Sequence, residues 1–387
     1  MFSRWVVAVA DVTIVGAGPV GMLLASELAR RGVEANVLER RPTVGDGTRA
    51  IGIHSPVLAA LEPSGLTERL LAGAVRVGRG EARSRGRLLG TVHFDEIAAR
   101  FPFVATLPQT STESVLGAGA PEPLRGAHVM AVIPRTQGVV VRAAHLGRII
   151  ESESRIVVVA GGAGARDLVY RPGRVGLHEY RDRYLMTDAA ATGRPDDEVA
   201  VVNLDPDGVL ESFPLPGGRR RFVAWDAPGA DDAPEARAER LRSALARRGE
   251  ETAASAVETA TSFGVRRVVA PRLRNGRVFA IGDTAHEVSP IGGQGMNLGL
   301  LDAVALAPLL ASWTRTGTAP DAELRRWEER RVRSARRAAA MASVNTALGR
   351  PLPHTDVLRR TAVRAMLAGA SGRLFARAYA MGFDADA

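Results

Sequence analysis

Two residue types are missing from this chain of 387 residues, lysine and cysteine, so all 51 basic residues are arginine. Without lysine there is no Schiff-base amine and no P-loop lysine. Without cysteine there is no disulfide frame, no thiolate nucleophile and no cysteinyl link to a cofactor. That is compatible with a reducing cytoplasm, the expected location. No His/Cys/Asp/Glu grouping shows metal-ligand spacing, and no metal is expected. No apolar run approaches bilayer-spanning length, and Trp5-Val-Val-Ala-Val-Ala is too short for a signal-peptide core, so a soluble chain without stable membrane insertion is expected. The net charge of +9 would suit a nucleic-acid partner. Yet the arginines are interleaved with acids, as in Glu328-Glu-Arg-Arg-Val-Arg, and no nucleic-acid-binding signature is present. Nucleic acid is not an expected partner, and residues 325–337 read as a solvated helix face.

What is present begins at Val12-Thr-Ile-Val-Gly-Ala-Gly-Pro-Val-Gly21. Four β-branched or apolar residues precede Gly16, Met22 to Arg31 has helical spacing, and Val33 to Glu39 reads as a second strand. This β–α–β unit carries G-x-G-x-x-G at Gly16, Gly18 and Gly21, with an acid, Glu39, 18 residues after the last glycine. Gly16 permits the tight turn, Gly18 lets a pyrophosphate approach the backbone, and Gly21 lets helix and strand pack closely. The acid takes ribose hydroxyls. Glu39 favours FAD or NAD over NADP at this site. Arg40 is a further cofactor-side candidate, although the pair Arg40-Arg41 also reads as solvated surface.

A second organised stretch lies late in the chain, Ala280-Ile-Gly-Asp-Thr-Ala-His-Glu-Val-Ser-Pro-Ile-Gly-Gly-Gln-Gly-Met-Asn-Leu-Gly299. A buried-type strand from Arg277 leads through a glycine-rich loop into a helix, marked by the apolar spacing of Met296, Leu300, Ala303, Val304, Ala307 and Leu310. Such a loop gathers amides at the positive end of a helix dipole, where negative charge is received. Asp283 could accept hydrogen bonds from ligand hydroxyls; a plain strand–loop–helix connection has the same local pattern.

Between these two stretches the chain turns to strands. Residues 79–94 predict a hairpin, 103–116 a strand leading into a helix, and 155–160 a buried strand. Then 198–203, 208–213 and 221–225 predict a mostly β stretch, with Asp205-Pro-Asp-Gly and Pro216-Gly-Gly as turns. Residues 231–248 form a charged helix, and the remainder after the second motif is helical, broken at Pro351 and Pro353.

Together, Gly16-Ala-Gly-Pro-Val-Gly with Glu39 and Gly282-Asp283 with Pro290-Ile-Gly-Gly-Gln-Gly-Met-Asn297 resemble the class A flavoprotein monooxygenases, the para-hydroxybenzoate hydroxylase type. Arg49-Ala-Ile-Gly-Ile-His, Leu107-Pro-Gln-Thr with Glu113, and Tyr180-Arg-Asp-Arg-Tyr-Leu fit as well. The resemblance runs from about Val12 to Trp313. It implies an α/β fold: a Rossmann-like FAD-binding domain (1–75, 101–168 and 265–320) interrupted by a β-rich substrate domain (76–100 and 169–264), with a helical C-terminus (321–387). It implies FAD as cofactor and NAD(P)H as reductant, with oxygen captured as a flavin C4a-(hydro)peroxide. One oxygen atom then passes to a small organic substrate, expected to be phenol-like or polyketide-like; hydroxylation, epoxidation and Baeyer–Villiger insertion stay open.

Residue by residue, the resemblance assigns Gly16, Gly18, Gly21 and Glu39 to the ADP half of FAD. Arg49 and Gln109 would meet its pyrophosphate and ribityl region, and Asp283, after Gly282, the ribityl chain. Pro290, Gly292, Gly293, Gly295, Met296 and Asn297 would lie beside the flavin, with Pro290 and Gly295 nearest the chemistry. His286 reads as a structural hydrogen-bonder. Phe213, Phe222 and Trp225 are candidates for the substrate pocket or for ordinary packing. The chain departs from the family pattern at Ala163, where an acid tied to FAD and NAD(P)H handling is usual, and in the short link between Val129 and Arg155, which leaves little room for further strands. A flavin dehydrogenase or an FAD-binding protein without turnover are the alternatives.

Overall fold

The computed structural model describes residues 5–6, 10–45, 50–190, 198–352 and 355–381, side chains excepted at 5–6. Its first sheet is built on β1 (Ala10–Val15), an apolar strand buried on both faces as a central parallel strand must be. Helix α1 (Pro19–Ala29) follows, with Pro19 in its first turn, where a missing N–H costs nothing. It returns the chain to β2 (Ala35–Glu39), parallel to β1 with Val12 opposite Ala35 and Val15 opposite Leu38.

The hairpin expected at 79–94 forms as β3 (Arg79–Ser84) and β4 (Arg87–His93), and α2 (Gln109–Gly117) follows the short strand Val104–Thr106. Between Val129 and Arg155 the expectation of little room is corrected. β5 (His128–Pro134), β6 (Val139–His145) and β7 (Arg148–Val159) make an antiparallel meander with minimal turns. The 12-residue β7 serves two neighbours in turn. Its first half pairs antiparallel with β6, and its second half runs parallel to β1. One long strand thus does the work of two, and periodicity alone does not reveal such sharing.

Among the described residues, the second sheet holds eight strands. Its middle is β8 (Leu177–Ala190), β9 (Ala200–Asp205), β10 (Gly208–Leu215) and β11 (Arg219–Asp226). Helix α3 (Pro234–Ala246) packs Ala238, Leu241 and Leu245 on its outer face, and β12 (Thr261–Val269) borders β8. On the far side, β9 lies parallel to β3, so the hairpin joins this sheet. The chain then re-enters the first sheet through β13 (Val278–Ala280), parallel to β7.

Helix α4 (Gln294–Thr316) is the buried axis of the molecule and packs on α1. Its length and hydropathy match a membrane span, contrary to the expectation that no apolar stretch comes near that length. Most of that window is buried inside the protein, as for a core helix. Helix α5 (Asp321–Leu348) covers it through Leu324, Trp327 and Ala335. The last helices, α6 (Asp356–Leu367) and α7 (Gly369–Tyr379), pack Val363, Leu367, Ala376 and Ala380 against the inner face of the second sheet. The C-terminal helices are therefore a wall of the β-rich region.

Candidate functional site

A single cavity of about 1170 Å³ runs from the β1–α1 turn, past the loop that opens α4, to the inner face of the second sheet. At its first end, Gly16 takes φ +110°, and a Cβ there would lie 2.5 Å from the carbonyl oxygen of Ala160. A Cβ on Gly21 would meet the carbonyl oxygen of Gly16 at 2.0 Å, so helix and turn touch backbone to backbone. Gly16 and Gly18 line the cavity, whereas Gly21 lies behind them. Among the described residues, Gly18 has nothing within 4 Å of the position a Cβ would take, which leaves open space before the first amides of α1.

Glu39 ends β2 at this space and is buried. Its carboxylate accepts from the backbone N–H of Ala17 at 2.7 Å, and from the N–H and Nε of Arg41 at 2.9 and 3.1 Å. Burial pushes its pKa up, but these hydrogen bonds outweigh it and hold the group ionised below the usual range. Arg40 is exposed at the cavity edge. Arg49 lies outside the described residues.

The middle of the cavity is the late loop. Pro290, Gly292, Gly293, Gly295 and Met296 all line it, with Gly292 and Gly293 at φ +102° and +66° where the chain turns into α4. Asn297 is buried behind them and acts as a clamp. Its Nδ2 donates to the carbonyls of Gly52 and Gly293, each at 2.9 Å, and its Oδ1 accepts from the N–H of His54. Gln109 lines the same stretch, donating to Glu113 and accepting from the N–H of Ala50 at 3.2 Å. Asp283 opens to the cavity while Arg166 Nη2 donates to its carbonyl oxygen at 2.8 Å.

Gly282 is fixed from behind by Asp302 of α4, whose Oδ2 accepts the Gly282 N–H at 3.1 Å and bonds His286 Nε2 at 2.6 Å. Arg331 of α5 donates Nε to the other oxygen at 2.8 Å. Burial alone would raise the Asp302 carboxyl, but His286 and Arg331 hold it at about 2. His286 is thus a buried hydrogen-bonder, and it does not line the cavity.

The far end is apolar on the inner face of the second sheet. Phe213 lines it. The pocket expectation for Phe222 is corrected. Side chains alternate along β11, so Phe222 and Ala224 turn outward onto α3, while Arg221 and Val223 turn inward. Trp225 shares the inward face but lies beyond the cavity, its Nε1 donating to Asp182 at 3.2 Å.

Three residues not singled out from the sequence stand at the cavity wall: His54, Glu211 and Tyr379. The His54 ring is buried beside the backbone of Gly292 and Gly293, and burial lowers its pKa to about 4 against the opposing pull of those two backbone neighbours. Glu211 is a buried acid on an apolar strand, pushed up to about 8 by burial. Tyr379, from the last helix, packs its ring edge-on to His54 at 6.2 Å. The inward phase of β10 could have exposed Glu211, since it follows Val209 and precedes Phe213 at a spacing of two. No local signal carries Tyr379. Ala163 opens a short 3-10 turn (Ala163–Leu168) and contributes no carboxyl to the site.

A family model described as an FAD binding domain matches residues 9–342. The 6-methylpretetramide 4-monooxygenase of Streptomyces rimosus is 32% identical over 326 residues, which cover 79% of this chain and 56% of that protein. The chain thus spans little more than half the length of that relative. Among solved structures, the anhydrotetracycline hydroxylase of S. rimosus superposes with a TM-score of 0.78 at 28% identity, covering 97% of this chain and 76% of that one. The p-nitrophenol 4-monooxygenase of Pseudomonas putida gives a TM-score of 0.86 over 97% and 98% of the two chains; at 23% identity this is a likeness of fold. With the β1–α1 turn, Glu39 and the loop before α4 facing one cavity, the chain belongs to the FAD-binding-domain family, the flavoproteins of the para-hydroxybenzoate hydroxylase type.

Proposed function

We propose that this protein is an FAD-dependent monooxygenase acting on a phenolic or polyketide-like ring, with NAD(P)H as reductant. One observation carries the reading: the nucleotide end and the apolar compartment are parts of a single cavity, with the amides before α4 between them. The residues present fit the cofactor. The open space at Gly18 faces the start of α1, where a pyrophosphate is favoured. Glu39 presents an ionised carboxylate for ribose hydroxyls, and Gln109 and Asp283 stand along the path between.

Bound FAD would supply the redox chemistry: two electrons from NAD(P)H and two from the substrate reduce O2, one oxygen atom entering the ring and the other leaving as water. The protein supplies position and charge. The amides of Gly292, Gly293 and Gly295 at the start of α4 favour negative charge beside them by roughly 0.3–2 kcal/mol. Phe213, Val223 and Leu204 keep water from the reacting end. The substrates for which the S. rimosus relatives are named, 6-methylpretetramide and anhydrotetracycline, favour a fused-ring polyketide class.

Purified protein is expected to be yellow or to take up added FAD, and to place label from ¹⁸O2 in a phenolic probe such as 2-naphthol when NADPH is supplied. A colourless protein that binds no flavin ends the proposal. Ala163 supports a second reading, a flavoprotein reduced slowly by NAD(P)H. Ala163→Asp is then expected to speed flavin reduction by NADPH, and an unchanged rate removes that reading.

A further inference from the structure

Glu211 sits at the centre of the inner wall of the second sheet. Its partners across the strands are Val202 on β9 and Val223 on β11, and Val209 and Phe213 flank it on the same face of β10. It is 4% exposed and lines the cavity. Among the described residues, no hydrogen bond or ion pair reaches its carboxyl. Burying an unpaired carboxyl among valines costs folding free energy, and packing alone gives no return for it. Four arginines line the cavity; Arg40 and Arg41 belong to its nucleotide end, and the two at the sheet end are already engaged. Arg221 holds Asp188 with two hydrogen bonds, at 2.6 and 2.7 Å, and Arg266 pairs with Glu179 at 3.0 Å. A ligand carboxylate would therefore meet an acid here and no unengaged cation among the described residues. A ligand hydroxyl or amino group would instead find an acceptor in either protonation state of the glutamate. Tyr379, from the last helix, adds an aromatic ring to the lining of the same cavity, over which a flat ligand can lie.

Given the flavoprotein reading above, we propose that Glu211 is the specificity-determining residue of the substrate compartment, receiving a hydroxyl or amino group of an uncharged ring system and turning away carboxylates. The group is buried without a partner because the partner is the ligand. Polar groups placed this way discriminate strongly, since a ligand lacking the matching group leaves them unpaired.

The test uses the FAD-loaded protein and two probes of one ring size, 2-naphthol and 2-naphthoate, titrated at neutral pH and followed by perturbation of the flavin spectrum. Wild type is expected to prefer 2-naphthol by at least about tenfold, the scale of one good hydrogen bond. Glu211→Leu is expected to remove most of that preference. Glu211→Gln, which keeps shape and hydrogen bonding, should retain 2-naphthol binding within about threefold and admit 2-naphthoate more readily. Flavin absorption reports that each variant is folded and loaded. A preference unchanged in flavin-loaded Glu211→Leu, equal binding of both probes by wild type, or binding of neither, overturns the assignment while leaving the flavoprotein reading intact. Failure of wild type to take up FAD overturns both.

Discussion

The Oδ1 atom of Asn297 accepts a hydrogen bond from the backbone N–H of His54 at 2.9 Å, joining positions 243 residues apart in the chain. The same side chain donates to Gly52 and Gly293, so two segments that border the cavity, 52–54 and the loop before α4, are held by one buried amide. The register between the loop before α4 and the short strand Gly52–Ile53 therefore depends on a residue that does not itself line the cavity.

Replacing that amide tests the clamp. Asn297→Leu leaves the His54 N–H and two carbonyls without their partner and is expected to cost roughly 1–3 kcal/mol of stability for each group left unsatisfied. FAD affinity should fall with it. Denaturant midpoints and a flavin titration check both, and an unshifted midpoint shows the loop to be held by other contacts.

Asp302 is the second support. Asp302→Asn leaves the Arg331 guanidinium buried without its counter-charge, at an expected cost of roughly 3–5 kcal/mol. The pH dependence follows from its lowered pKa of about 2. The ion pair contributes fully above the unfolded carboxylate range, and its contribution is lost as pH falls through about 2. Acid unfolding of wild type and Asp302→Asn should accordingly converge as pH drops below about 4.

Glu211 carries the opposite sign. Its folded pKa is raised to about 8, so the folded state prefers the protonated form. Ligand-free wild type is then expected to lose stability as pH rises from about 4.5 toward 8, and little more beyond. Glu211→Gln should abolish that slope, being more stable than wild type by roughly 2–4 kcal/mol at pH 8–9 and nearly equal at pH 4. Thermal melts across that range are the measurement; parallel curves show the carboxyl to be solvated.

Two phenylalanines on neighbouring strands separate packing from the site. Phe222→Ala opens a hole beneath α3 and is expected to cost roughly 3–5 kcal/mol with the flavin spectrum unchanged. Phe213→Ala, at the cavity wall, should shift 2-naphthol binding with a smaller loss of stability. A binding change in Phe222→Ala with intact stability contradicts the outward placement of its ring.

Much of this was readable in the residues. The β1–α1–β2 unit and the loop before α4 are local patterns whose glycines and flanking strands signal themselves. Phe222 was harder, because strand phase decides its face, and one position in either direction reverses the answer. The meander of β5 to β7 was hidden because one long strand serves two neighbours. His54 and Tyr379 gain their meaning only from packing across more than 300 positions, which no window along the chain contains. The path of the last helices over the second sheet is likewise a tertiary fact.

Gln294, the first residue of α4, donates its side-chain amide to the carbonyls of Ala378 and Tyr379 at 3.2 and 2.9 Å. Helix α7 is thereby tethered to the turn that opens α4, and through Tyr379 it furnishes part of the cavity wall. Substitutions along α7 would therefore change which ring systems fit the cavity, even where they touch no ligand themselves.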